Sequence, residues 1–542
     1  MKPSFRDVLC GFFSARGVGP SEDALFQEAL DEFSYFPGGR TLREHRNPNG
    51  VIYTDSVVDD VHADEDFFSV FVGYASGLSK APEKKRDLAR FFSKKDWRKS
   101  DFHEFIDSRF AGAIMDRRTN TLRLVTDVFG KRKIFYKRLG DVLFFSTELQ
   151  VLFRIPDSIE RLNRQALRDY LTYGTIIGPE TISTSVFTVP LQSYVEFDGR
   201  TLLSKPLPSS EKINGDRRAP EPSEVYERFK DVLSFLSGDL GLKFSDLTGG
   251  ADTRLTLKAA LDLKIDLAYN CVHQDLEKGS SDDFDFQVMK LLTDEFQLST
   301  EFAFSDYRSN YRHCKSPFET HRHYAGDIYN DCLSGMFGGE LLGGWGLNHF
   351  FSAEKMREAS TLDQKVLAAF PEGFFDRTIP YERRLADLIA RTNYADPKIL
   401  LSVFFLYSGC LNDRNNEAVW LESYLLSARK ISAFLGDAVL RSLNANGMAD
   451  RLLNYRFYMD VYKFSAPDML RFPFHSGFCD FFPDLLQNIQ REPGPTFEPA
   501  RDPDAAAPSP EDQPIAGRIK QLKQYLERSL PQASFKDGIP DL

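Results

Sequence analysis

The sequence predicts a two-unit α/β and α+β protein. An N-terminal antiparallel β-sandwich with flanking helices precedes a doubly wound parallel sheet with a helical extension. Three observations carry that expectation. The chain has 542 residues, more than one hydrophobic core usually supports. Between Phe110 and Glu148, short strand patterns alternate with tight turns. From Ser223 onward, helices and apolar strands alternate, the order of a parallel sheet that binds ligands at its strand C-termini.

Taken in order, FAGAIMD, TLRLVTD, IFYKRLG and DVLFFSTE read as consecutive antiparallel strands, turning at Asn120 and at Gly140-Asp141. A helix is expected near Arg164–Tyr173, then the strands SYVEFDG and RTLLSKP, turning at Asp198-Gly199. Lys205–Pro222 holds four prolines, two serines and mixed charge, which suits a linker. The amphipathic run SEVYERFKDVLSFLSGDL opens on Ser223 as its cap. A strand with a glycine turn follows, then its helix, the strand IDLAYNCV and the helix DFDFQVMKLLTDEF. Residues 355–465 read as almost entirely helical. Seven prolines between Glu492 and Pro514 indicate disorder, and RIKQLKQYLERSL is a final helix that docks back or meets a partner. The expected units are 1–204, a linker 205–222, 223–490, a disordered 491–514 and a helical tail 515–542.

Composition excludes several classes. A net charge of −11 argues against non-specific nucleic-acid binding, which needs a basic face. No run reaches the ~18 apolar residues of a membrane span, and the apolar patch Val8–Phe13 is too short for a signal peptide. Cys10, Cys271, Cys314, Cys332, Cys410 and Cys479 lack paired spacing, as in a reduced compartment, and a zinc site is not expected. His321 and His323 near Cys314 complete no tetrahedral set. The expected location is cytoplasmic, with no membrane and no nucleic-acid partner; a homodimer is compatible with this reading.

The most informative stretch is LKFSDLTGGADTRLTLKAALD, residues 242–262. Its centre is Thr248-Gly249-Gly250-Ala251-Asp252-Thr253. Adjacent glycines let the backbone pass close to an anion and turn successive amides inward. The helix that follows offers its positive N-terminus to the same anion. Thr248 and Thr253 add hydroxyl donors, and Asp252 is suited to a magnesium ion that neutralises phosphate. The plainer alternative is a strand–turn–helix joint that needs glycine for packing. The stretch lacks the Lys-Ser/Thr of a phosphate-binding Walker loop and the third glycine of a dinucleotide fingerprint.

The hexapeptide resembles the SGGxDS pyrophosphate loop of N-type ATP pyrophosphatases, and the chain as a whole resembles the asparagine synthetase family. Phe110-Ala111-Gly112 through Asp116 is similar to that family's G-x-FA…D strand. Thr126–Tyr136 resembles RDxxGxKPLYY, Phe145-Ser146-Thr147-Glu148 resembles FSSE, and Leu162–Gly199 resembles the close of its first domain. Ser334-Gly335 through Glu340-Leu341 and Gly343-Gly344-Trp345 is similar to SGEGxDELFGGY. The resemblance implies an Ntn-hydrolase-like glutamine amidotransferase domain, then an adenine nucleotide α-hydrolase-like synthetase domain. It implies ATP and Mg2+ as cofactors. The nucleotide contacts would be Thr248, Gly249, Gly250, Ala251, Asp252 and Thr253, joined by Asn270 and Gly335. Asp252 and Glu340 would hold the metal, and both would be catalytic.

The departures matter equally. The family's glutaminase needs a cysteine at residue 2, where this chain has Lys2; its CGFF-like segment begins at Cys10. No RGPD-like segment is present, and Val72–Gly77 stands where NGEIYN would supply oxyanion contacts. The first domain is therefore expected to lack glutaminase activity, with Cys10 a buried strand residue. Met336 and Gly339 replace two acids of the second motif; Asp246 or Ser281-Asp282-Asp283 are alternative sources of an acid. Asn412–Asn416 and Ile431–Leu440 resemble the helical segment of the acceptor pocket, with Asp437 at the matching aspartate. Lys463 is the candidate adenylation lysine, set against a solvated helix lysine.

The resemblance implies an ATP-dependent, AMP-forming amide ligase. It would join a small-molecule or peptide carboxylate to ammonia or to an intramolecular amine, as in β-lactam synthetases and lasso-peptide cyclases. The rival readings are a non-catalytic nucleotide-binding scaffold and a glutamine-dependent enzyme processed to Cys10.

Overall fold

A computed structural model describes residues 8–33, 42–54, 60–76, 88–93, 105–157, 161–207, 218–273, 284–304, 332–335, 337–392, 394–412, 430–474 and 519. Among the described residues, twelve strands build the first unit: β1 (Leu9–Ser14), β2 (Arg43–Asn47), β3 (Gly50–Thr54), β4 (Asp60–Ala63), β5 (Phe67–Ala75), β6 (Ser108–Asp116), β7 (Thr121–Thr126), β8 (Phe135–Leu139), β9 (Val142–Ser146), β10 (Val186–Thr188), β11 (Ser193–Phe197) and β12 (Leu202–Pro206). They form two antiparallel six-stranded sheets, ordered β10-β8-β9-β1-β3-β2 and β12-β11-β7-β6-β5-β4.

Side-chain alternation divides each strand between two cores. In β1, Leu9 and Phe13 join Ile52, Val70, Ala113, Leu124 and Phe145, residues drawn from both sheets. Cys10 and Phe12 point the opposite way, into a cluster with Phe26, Tyr53, Phe144 and Leu167. Cys10 pairs in register with Tyr53 and Ser146 and is 0% exposed. It is a strand residue packed under helices, as expected.

The turns at Asn120 (φ 50°) and Gly140 (φ 59°) fall where the sequence placed them. The strands around them are not one meander, however. β6 pairs with β7 and β8 with β9, but β7 and β8 lie in different sheets. Val128–Lys133 carries the chain across. Asp127 enforces that crossing: its carboxylate accepts the N–H groups of Lys131 (2.9 Å) and Arg132 (3.0 Å).

The helix Pro222–Ser234 is capped by Glu221, not Ser223. Pro222 at its first position loses no hydrogen bond. Glu224 closes a capping box by accepting the Glu221 N–H at 2.8 Å. Beyond it lies a parallel sheet of β13 (Phe244–Leu247), β14 (Ala268–His273), β15 (Thr300–Phe304), β16 (Cys332–Ser334) and β17 (Lys430–Ser432), in the order β15-β14-β13-β16-β17. Within 355–465, expected to be almost entirely helical, β17 is a strand among helices in the described residues. A three-residue strand carries no periodicity, and only its parallel pairing to β16 defines it. The 491–514 segment lies outside the described residues. Of 515–542 only Ile519 is described, buried with the Cys10–Phe12 cluster. Among the described residues, no helix is long and apolar enough to cross a membrane.

The two units share one apolar cluster, which runs from Phe71, Phe110 and Phe129 into Phe229, Leu247 and Tyr458. Buried charges join them as well. Lys131 donates to Asp107 Oδ1 (2.5 Å), Asp437 Oδ1 (2.8 Å) and Leu435 O (3.0 Å). Arg168 grips Asp363 with two 2.7 Å bonds, and Arg384 reaches Asp169 at 2.8 Å. Asp437 is 1% exposed. It belongs to the contact between the units.

Candidate functional site

The strand order of the parallel sheet reverses at its centre. β13 has β14 on one side and β16 on the other, so the chain leaves those two strands in opposite directions. In open parallel sheets the crevice outside such a pair of strand ends is where ligands bind. Thr248–Gly250 leaves the C-terminal end of β13, and Gly335 leaves that of β16. Topology alone thus brings together two segments that stand far apart in sequence.

The first turn of the Ala251–Asp262 helix is capped by Gly250, with φ −74° and ψ 165°. No cap side chain covers the first-turn amides. Thr248 N–H donates to Thr253 Oγ1 (3.0 Å), the two hydroxyls are 3.0 Å apart, and Gly250 N–H donates to Thr248 Oγ1 (3.2 Å). These bonds shape the loop from within. From below, Arg254, 0% exposed, donates to Gly249 O (2.8 Å), Phe472 O (3.1 Å) and Pro473 O (2.7 Å), with its guanidinium 3.8 Å from the Phe474 ring centroid.

Opposite the loop, Gly335 and Gly338 are required by close approach. A Cβ on Gly335 would lie 2.6 Å from the Thr253 nitrogen, and one on Gly338 2.6 Å from Asp252 Oδ1. The Gly339 N–H and the Tyr458 hydroxyl (2.8 Å) donate to the Asp252 carboxylate. Burial first, then the charge of Glu340, pushes the Asp252 carboxyl up to about 7. Tyr462, one turn beyond Tyr458, donates to Ala251 O. Tyr455 packs beside Gly339 and Gly343.

The structure therefore brings Thr248, Gly249, Gly250, Ala251, Asp252, Thr253, Gly335 and Glu340 together at the C-terminal ends of β13 and β16. Lys463 is exposed one residue past Tyr462, and no described contact joins it to the loop. Asn270 pairs in register with Asp246, one strand over from the loop strand; its side chain lies outside the described set. So do Met336, Ser281–Asp283 and Asp413–Asn416. Among the described residues, no group of three or more His, Cys, Asp and Glu is placed to hold a metal, which leaves Asp252 and Glu340 as a pair.

Sequence reasoning missed Tyr455, Tyr458, Tyr462 and Arg254. The three tyrosines recur at helical spacing in YRFYMDVY, a pattern that reads as ordinary core packing. Only the fold reveals which way it faces.

Residues 96–206 match the model of a glutamine amidotransferase domain family. The first unit is amidotransferase-like on that ground. Two solved structures are similar at low level. One is described as the allosteric regulatory enzyme of purine biosynthesis, at 8% identity and TM-score 0.25, over 55% of this chain and 80% of the other. The second is glutamine phosphoribosylpyrophosphate amidotransferase from B. subtilis in complex with ADP and GMP, at 8% identity and TM-score 0.24, over 65% of this chain and 79% of the other. No curated protein matches.

Proposed function

We propose that this protein is an ATP-dependent, AMP-forming amide ligase without glutaminase activity. The observation that carries the reading is the position of Thr248–Thr253. The loop lies at the strand-order reversal of the parallel sheet, with Asp252 set against Glu340. The match of residues 96–206 to an amidotransferase domain adds the expectation of amide chemistry.

The residues fit a divalent cation. Two neighbouring carboxylates, one of them raised in pKa by burial and then by the charge of the other, are relieved by a cation, and magnesium needs few protein ligands because it keeps water and phosphate oxygens. Bound there, magnesium would neutralise phosphate charge. Asp252 and Glu340 would hold it, with Tyr458 and the Gly339 amide fixing the Asp252 rotamer. The loop amides and the hydroxyls of Thr248 and Thr253 would exchange their internal bonds for phosphate oxygens, which favours charge in the leaving pyrophosphate. A substrate carboxylate attacks the α-phosphorus of ATP and pyrophosphate leaves, forming an acyl-adenylate. An amine then attacks the acyl carbon; AMP leaves and the amine loses a proton.

The amine is ammonia or part of the substrate, because Cys10 is unsuited to glutamine hydrolysis. That chemistry needs the cysteine's own α-amine as base, whereas Cys10 is 0% exposed and bonded into a strand on both sides. Cys10→Ala is accordingly expected to leave ammonia-dependent turnover intact, as measured by AMP formation with ammonium chloride; loss of turnover would overturn the role given to the first unit. The reading as a whole is tested by pyrophosphate release from Mg·ATP across carboxylates, amino acids and peptides, with and without ammonium. Release that depends on one substrate supports it. ATP binding with silence across the panel would favour a nucleotide-binding scaffold, the reading that Gly339 in place of an acid supports.

A further inference from the structure

We propose that Tyr455 is a ligand-facing residue of the crevice, its hydroxyl donating to a phosphate oxygen of the nucleotide held by the Thr248–Thr253 loop. The inference rests on the proposed function and names a residue that the resemblance does not assign.

Four observations point to it. First, Tyr455 occupies the cap position of the Arg456–Ser465 helix, and its side chain makes no capping hydrogen bond there. Caps are normally Ser, Thr, Asp or Asn, whose oxygens accept from the first turn. A tyrosine has no short side-chain oxygen to accept from that turn. Second, both Asn454 (φ 57°) and Tyr455 (φ 58°) are left-handed. Asn tolerates that region, but for a bulky aromatic residue it is strained. Such strain persists only where the surroundings enforce it, and it concentrates at functional sites.

Third, the surroundings do enforce it. Tyr455 N–H donates to Gly343 O at 3.1 Å, and a Cβ on Gly343 would lie 2.3 Å from the Tyr455 ring. The second glycine-rich motif is shaped around this side chain. Fourth, the ring ends at the acids. A Cβ on Gly339 would be 3.5 Å from Tyr455 Oη and 3.7 Å from Asp252 Oδ1, so the phenol and the carboxylate flank one point. An ordinary phenol, with a pKa of about 10, is protonated at neutral pH and serves there as a donor. The space beside the two acids is where a cation-bound phosphate would sit.

The test is Tyr455→Phe, which keeps the ring in the Gly343 slot and removes only the hydroxyl. Dissociation constants are measured by calorimetry for Mg·ATP and for magnesium pyrophosphate, alongside thermal unfolding without ligand. The expected result is weaker binding of both, by about ten- to a hundredfold, the worth of one hydrogen bond to a charged group. Unfolding without ligand checks that the variant is folded. If wild type binds both probes and the variant matches it, the inference falls while the proposed function stands. Weakened ATP binding with unchanged pyrophosphate binding would likewise overturn it, by moving the hydroxyl to the nucleoside. Wild-type protein that binds neither probe would overturn the proposed function and this inference together.

Discussion

Asp252→Asn is expected to lower pyrophosphate release by at least about a hundredfold, the scale on which losing one preorganised charge-stabilising group acts. Its thermal stability should match wild type in acid and exceed it in base. The sign follows from the site. In the unfolded chain this carboxyl titrates at its ordinary value of 3.8; in the folded protein burial and Glu340 push it up to about 7. Between those values the native state holds more protons than the unfolded one, so native stability falls as pH rises through the window. Asparagine keeps an oxygen for the Tyr458 hydroxyl and cannot ionise, so the variant escapes that fall. Melting temperatures from pH 4 to 9 would read the effect directly. Added magnesium should stabilise wild type increasingly above pH 7 and leave the variant unmoved. A large drop in melting temperature at every pH would instead make Asp252 a structural residue.

Lys131→Met is expected to destabilise the protein by about 3–5 kcal/mol, the usual consequence of removing one partner from a buried ion pair. Lys131 is 7% exposed and is the cation between Asp107 and Asp437, which are 2% and 1% exposed. Burial chiefly, and Asp437 in addition, raises the Asp107 pKa against the pull of Lys131; Asp127 beside it is pushed up to about 6. Without the lysine these acids resist ionisation more strongly still. The deficit should therefore be largest near pH 8 and shrink toward pH 5 as they take up protons. Denaturant unfolding at the two pH values would check this, and an equal deficit at both would refute it.

The same variant should also loosen the crevice. Lys131 holds Leu435 O, next to Phe434, whose ring meets Tyr458 edge-on at 6.5 Å; the Tyr458 hydroxyl in turn holds Asp252. A residue of the amidotransferase-like unit thus reaches the loop of the other unit through three contacts.

How much of this could be read beforehand depended on the range of the interaction concerned. The loop was legible because its chemistry is local: paired glycines, two hydroxyls and an acid within six residues need no other part of the chain to declare themselves. The hairpin turns at Asn120 and Gly140 and the Arg164–Tyr173 helix were legible for the same reason. The crossing from β7 to β8 was not, because strands of two stacked sheets share one alternation and pairing choice leaves no mark on it. β17 escaped because three residues carry no period.

What the sequence by itself determined was the inventory and the local shape: strands first, then strand–helix units, and a glycine-rich turn carrying Asp252. Only the tertiary structure decided which residues face that loop. Glu340 reaches it because the strand order places β16 beside β13. Tyr455, Tyr458 and Tyr462 reach it because a helix some two hundred residues downstream packs across its first turn. Lys463 shares that helix and remains exposed. Backbone propensity is written within a few residues, whereas facing is set by packing among elements distant in the chain.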